Sequence, residues 1–214
     1  DLTLKWFLNG VEQDSQDGLQ VNTHSGEISF ARNGSGMRYP SSLVSNWVAS
    51  SVGGATSETY NDTATGSDTS NNNYAGNIAL FRIWNIARTE AEIDANKSTL
   101  LTSGTSLVAY SDQDRIYYQP DGATEISLTA FVAVSNQFTT IPNTDAINLQ
   151  DTRDRTIEFR FRATDMTTRQ VLYEEGGNTN AFTAFIEDGR FYFGVYRTNA
   201  DTAANRLFFR SGSG

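Results

Sequence analysis

Residues 77–99 read NIALFRIWNIARTEAEIDANKST, and the reading of this stretch decides the fold. Ile78, Leu80, Phe81, Ile83 and Trp84 are bulky and β-prone, which predicts a strand buried on at least one face. Thr89-Glu90-Ala91-Glu92 is a capping box. The Thr89 hydroxyl accepts from the Glu92 amide, and the Glu92 carboxylate reaches back to the Thr89 amide. Asn96-Lys97-Ser98 has little helix propensity, so the helix is expected to be short, near 89–96. Leu107 to Tyr110 then predicts a further strand.

Working outward, Leu2, Leu4, Trp6 and Leu8 alternate with Thr3, Lys5 and Phe7. Asn9-Gly10, a strong two-residue hairpin signal, follows and predicts that Val11 starts the return strand. Glu27–Ala31 is a short strand, and Leu43–Val52 is a strand or ordered loop around Trp47. Ser57–Tyr74 has almost no bulky apolar residue and is expected to be a long surface loop. Ile126–Val134 is β-branched and apolar, hence a buried strand. Ile157, Phe159 and Phe161 point one way, and Glu158, Arg160 and Arg162 point the other, towards what reads as a solvated sheet face. Asp188-Gly189 turns a hairpin within Phe185–Val195, and Leu207–Phe209 is one more strand.

The order of these segments resembles the laminin-G-like, concanavalin-A-like jelly-roll family. That family closes on a glycine, a strand of the type I-D-E-V-R-I-W-N, a short R-x-x-x-E-I helix and a strand like L-V-A-Y. Gly76, Ile83-Trp84-Asn85, Arg88, Glu92-Ile93 and Leu107-Val108-Ala109-Tyr110 match, while Ala79 and Leu80 stand where relatives carry an acidic pair. Asp154–Tyr196 resembles the opening of the same domain, with its T-I-E-F strand and its Q-V-L-Y-x-x-G-G turn. Ile141-Pro142-Asn143, Asp145-Ala146 and Asn148-Leu149 resemble a further family segment. The closing motif thus precedes the opening one. The resemblance implies an all-β, two-sheet antiparallel jelly-roll sandwich with one short helix. It implies one domain over 1–214 in permuted order, closing half 1–118 and opening half 119–214. Writing the end before the beginning gives RLFFRSGSG-DLTLKWFLNG, which looks like the family's central hairpin. Leu207–Arg210 is therefore expected to pair with Leu2–Leu8, within a permutant, along a repeat or between copies of a filament.

Composition bounds the function. The 214 residues carry a formal net charge of -9, with 38% hydrophobic and 12% aromatic residues. An acidic surface repels phosphate backbones and anionic lipid, which disfavours nucleic-acid and membrane partners. With no cysteine, neither a disulfide framework nor thiol chemistry is available. No apolar run is long enough to span a bilayer. His24 is the only histidine, so a histidine-based triad or zinc site has little to work with. Glu90, Glu92 and Asp94 are explained by helix capping and the helix dipole, and neighbouring Glu174 and Glu175 diverge. The chain is therefore expected not to be an enzyme.

Two function classes remain. The first is a non-enzymatic extracellular structural or adhesive repeat of a long bacterial surface protein or filament, contacting neighbouring copies head to tail. The second is a calcium-dependent, lectin-like module that binds glycans or surface proteins. For the second, Trp47, Tyr60 and Tyr74 lie in or beside polar loops and are the candidates for sugar stacking. Either no cofactor is expected, the loop acids being solvated surface charge, or Ca²⁺ held by their hard oxygens: Asp62, Asp68, Asp112 and Asp114 foremost, with Asp14, Asp17 and Glu174. Thr63 and Thr202, each in an Asp-Thr-Ala triplet, look like O-glycosylation sites of secreted bacterial glycoproteins.

Overall fold

The computed structural model describes residues 3–17, 27–31, 36–49, 57–62, 64–70, 72–112, 115–118, 126–128, 139–143, 154–176, 180–197 and 206–212. Their strands are, in chain order, β1 (Thr3–Leu8), β2 (Val11–Asp17), β3 (Ile28–Phe30), β4 (Met37–Pro40), β5 (Trp47–Ala49), β6 (Ser57–Tyr60), β7 (Thr65–Asp68) and β8 (Gly76–Trp84). Helix α1 (Glu90–Asn96) follows, then β9 (Leu107–Asp112), β10 (Arg115–Tyr118), β11 (Ile126–Leu128), β12 (Thr139–Ile141) and β13 (Thr156–Ala163). The last four are β14 (Gln170–Glu175), β15 (Asn180–Glu187), β16 (Arg190–Arg197) and β17 (Arg206–Ser211).

These strands form an all-β, antiparallel sandwich of two main sheets. One has five strands in the order β11-β10-β9-β8-β13, and the other eight in the order β12-β3-β14-β15-β16-β17-β6-β5. Two ribbons, β1-β2 and β4-β7, stand apart from both sheets. The core lies between the sheets because each presents an apolar face. β8 contributes Ile78, Phe81 and Ile83, while β3, β14 and β15 supply Phe30, Leu172, Tyr173, Ala184 and Ile186. Phe30 sits edge-on to Phe81 at 4.1 Å and to Tyr173 at 5.4 Å, a geometry that ring quadrupoles favour. β13 pairs with β8 along its length, Ile157 opposite Ile83 and Phe159 opposite Phe81. The closing motif thus shares a sheet with β13, the first strand of the opening motif, and shares a core with β14 and β15 of the other sheet.

Segment 85–106, including α1, covers the outer face of the five-stranded sheet over Arg82 and Glu158. The capping box forms as its spacing dictates: Thr89 Oγ1 accepts from the Glu92 amide, and Glu92 accepts from the Thr89 amide at 2.8 Å. Ile93 is the helix's buried residue. Beneath the helix, Glu158 is not on a solvated face, contrary to the alternation reading. Its two oxygens bind Arg82 and Arg88, each at 2.6 Å. Arg82, 1% exposed, also donates to the carbonyl of Asn96 at 2.9 Å. The guanidinium thus meets the negative C-terminal end of the helix, where the Asn96 carbonyl also accepts from the Thr99 amide at 3.0 Å. Burial pushes the Arg82 pKa down, and Glu158 opposes that shift. Arg88 lies 4.3 Å over the Trp84 ring. Pattern reading missed this because alternation says which side a residue faces, not what later covers that side.

The Asn9-Gly10 turn has φ of 55° and 85°, as a primed two-residue turn requires. Its ribbon straddles the sandwich. Trp6 packs 6.1 Å from Phe191 and 6.2 Å from Phe209. At the tip, Lys97 Nζ donates to the Asn9 carbonyl at 3.2 Å and the Glu12 amide to Glu90 at 3.0 Å. The expected pairing of Leu207–Arg210 with Leu2–Leu8 does not occur within the chain. β17 pairs with β16 on one side and with β6 on the other, Phe209 opposite Thr59 and Arg210 opposite Glu58. β1 pairs with β2. Ser57–Tyr74, expected to be loop, supplies that competitor: β6 and β7 both lie in it, with Ser57 and Tyr60 buried.

Candidate functional site

The eight-stranded sheet also has an outer face. Alternation puts Phe182, Ala184 and Ile186 of β15 towards the core, so Ala181, Thr183 and Phe185 point outward with Tyr192 and Tyr196 of β16. The β4-β7 ribbon lies over this surface. Met37 is fully buried against Val171, Phe185 and Tyr192. The Arg38 amide donates to the Tyr196 hydroxyl at 3.1 Å. Gly194 lets Phe208 lie flat on the strand, since a Cβ there would strike the Phe208 ring.

Rings and guanidinium groups run across this face. Arg169 stands 3.6 Å over the Tyr39 ring and binds Asp68 at 2.9 Å and Glu187 at 2.7 Å. Phe185 stacks on Tyr192 at 4.7 Å with planes 3° apart. Tyr192 meets Trp47 edge-on at 5.7 Å, and Trp47 lies 5.0 Å from Tyr60. Arg210 sits 4.2 Å over Trp47 and binds Glu58 at 2.6 Å, which also binds Arg190 at 2.8 Å. These cation–ring contacts are partly desolvated and so stronger than exposed ones. Burial alone would raise the Asp68 carboxyl. The Ser70 amide, Asn72 and Arg169 outweigh it and hold the group below its ordinary value. At Glu187 burial prevails and the pKa is raised, although Arg169 opposes it.

Trp47, Tyr60 and Asp62 come together at one end of this face. Asn46 Nδ2 donates to Asp62 at 2.6 Å, and Arg206 donates to the Asp62 carbonyl at 2.9 Å. Tyr60, 8% exposed, and half-buried Trp47 are packed on each other. Tyr74, 3% exposed, is elsewhere, in the main core 6.5 Å from Phe161. Rings this buried offer no face to a sugar, which corrects the stacking expectation for Tyr60 and Tyr74. Asp68 lies on β7, its carboxylate engaged by Arg169 and Asn72. Asp14 and Glu174, anticipated as loop ligands, are buried within β2 and β14. Asp14 accepts from the Ser15 amide at 2.7 Å and from the Thr59 hydroxyl. Asp112 and Asp17 end strands, with only their backbones described. Asp114, Thr63, Thr202 and His24 lie outside the described residues. Among the described residues, no group of three or more histidines, cysteines or carboxylates is placed to hold a metal.

Arg169, Arg210 and Glu58 organise the face, and none was visible as a site residue. Asp68 and Arg169 are 101 positions apart, a separation that local patterns do not bridge. No protein-family model, curated protein or solved structure matches the chain. Among the described residues, no helix is long and apolar enough to cross a membrane.

Buried phenols make the fold sensitive to alkali. Burial raises Tyr74 from 10.0 to about 12 and also raises Tyr173, Tyr192 and Tyr196. A pKa higher in the folded state means that folding retains protons. This stabilisation is complete below pH 10 and is lost as the pH rises towards 12. Ultraviolet titration of the nine tyrosines should show a delayed class that ionises together with unfolding. Titration of all of them as one reversible class near pH 10 would contradict the burial described.

Proposed function

We propose that the protein is a non-enzymatic structural or adhesive module of the extracellular surface, with copies of itself or other surface proteins as partners. One observation carries this reading: the chain itself covers part of each wide face of the sandwich and locks the cover with arginines. Segment 85–106 is tied down through Arg82, Glu158 and Arg88. The β4-β7 ribbon is held through Met37, Arg169 and Asp68. A sheet face that serves as a ligand platform needs exposed rings and convergent polar groups. Here the rings pack on one another. Strand edges and loops are left for contact, and edges are where sandwiches join other chains. The acidic, cysteine-free composition and the laminin-G-like motifs support an extracellular setting.

Two measurements on the purified protein test the proposal. Sedimentation velocity over a wide concentration range should show self-association, and a glycan array should give no signal with calcium or with chelator. A strict monomer that binds glycans only with calcium would overturn the reading in favour of a lectin.

A further inference from the structure

Strand β13 is an edge of the five-stranded sheet, and among the described residues its ladder partner is β8 alone. The Phe81 amide donates to Ser111 Oγ at 2.8 Å, on the β9 side. In an antiparallel ladder this makes Phe81–Phe159 a non-hydrogen-bonded pair, so the N–H and C=O of Phe159 face away from β8. Ile157, two residues earlier and opposite Ile83, shares that orientation.

The two faces of this edge differ in chemistry. Ile157, Phe159 and Phe161 are only half-buried, with Phe159 and Phe161 resting on Phe191 at 5.8 and 5.7 Å. On the other face Arg160 and Arg162 are exposed. Arg82, Arg88, Arg155, Arg169, Arg190 and Arg210 each bind a carboxylate. Arg160 and Arg162 bind none among the described residues, in a chain whose net charge is -9.

We propose that β13 is a docking edge for an extended segment of another protein in which apolar and acidic residues alternate. The segment would add as a sixth strand. Its main chain would pair with Ile157 and Phe159, its carboxylates would lie beside Arg160 and Arg162, and its apolar side chains would extend the core over Phe159 and Phe161. A second copy of β13 fits less well. Antiparallel self-pairing sets arginine against arginine, or against Glu158, which Arg82 and Arg88 already hold, and like charges directly opposite are destabilising. This inference goes beyond the structural reading above and does not require self-association.

The probe is a fluorescein-labelled peptide of sequence TVDVDVT, followed by anisotropy against the intact protein at low and high salt. TVKVKVT and the proline-interrupted TVDPDVT serve as controls. The expected result is salt-sensitive binding of TVDVDVT alone, with slowed amide exchange at Ile157 and Phe159. Charge reversal by Arg160→Glu and Arg162→Glu should weaken it by about 10-fold or more, while Arg160→Lys and Arg162→Lys should retain most of it. Unfolding midpoints show that each variant is folded. Equal binding of TVKVKVT, no binding of TVDVDVT, or binding that survives charge reversal would overturn the proposal. Reversal or neutralisation that only makes the protein self-associate, with no peptide bound, would show that the two arginines merely guard an edge.

Discussion

Glu158→Gln should destabilise the protein by about 3–5 kcal/mol, the cost of removing one partner from a buried ion pair. The carboxylate faces two guanidinium groups at 2.6 Å, and their side chains are 1% and 6% exposed. Glutamine keeps the shape and removes the charge, leaving two buried cations side by side. The loss should appear in urea unfolding as a lower midpoint with an unchanged slope. The triad itself need not be a net source of stability. Replacing Arg82, Arg88 and Glu158 together by methionine, methionine and leucine should cost much less than Glu158→Gln, because no unpaired charge then remains. A single-variant loss below about 1 kcal/mol, the range of exposed pairs, would mean that water reaches Glu158 and that α1 does not cover it.

Gly76→Ala should cost about 3 kcal/mol, at the upper end for overpacking. Gly76 pairs with Ala163 at the end of the β8-β13 ladder. An added Cβ would land on the carbonyl oxygen of Arg162 and 2.5 Å from the Tyr74 hydroxyl. A backbone carbonyl held in a ladder cannot move aside as a side-chain tip can. Tyr74 is itself pinned, its amide donating to the Ala31 carbonyl at 2.8 Å. Gly189→Ala serves as a comparison. It also has positive φ, at 73°, but nothing lies within 4 Å of its added Cβ, so it should show conformational strain alone, about 1 kcal/mol. Equal losses at the two sites would remove the close approach as the reason for glycine at Gly76.

The features legible in the sequence are those encoded within a few residues. The Thr89–Glu92 box, the Asn9-Gly10 turn and the Asp188-Gly189 turn form where their spacing puts them. Alternation in 156–163 and the apolar content of 78–84 assigned both strands of the β8-β13 pair. Long-range choices were not legible. RLFFR reads as the partner of a hairpin with β1, yet β6 takes that side. β6 was hidden in SETY, whose polar residues gave no strand signal. Glu158 read as solvated because covering by 85–106 is decided by the Arg82 and Arg88 contacts. Of the three rings read as sugar-stacking candidates, Trp47 and Tyr60 do meet on the outer face and Tyr74 does not, but Arg210 beside Trp47 comes from a strand far away in sequence.

β13 pairs with β8 of the same chain, so that strands from the two halves of the sequence close one sandwich. Ile83→Cys with Ile157→Cys tests this most directly, because the protein has no other cysteine. The two residues are opposed in the ladder, and in a non-hydrogen-bonded pair the Cα atoms are close enough, about 4.5 Å, for a disulfide. Oxidised protein, compared with reduced protein by non-reducing electrophoresis and mass measurement, should be a monomer that has lost two hydrogens per chain. Free thiols after oxidation, or disulfide-linked dimers and ladders in place of that monomer, would contradict the account.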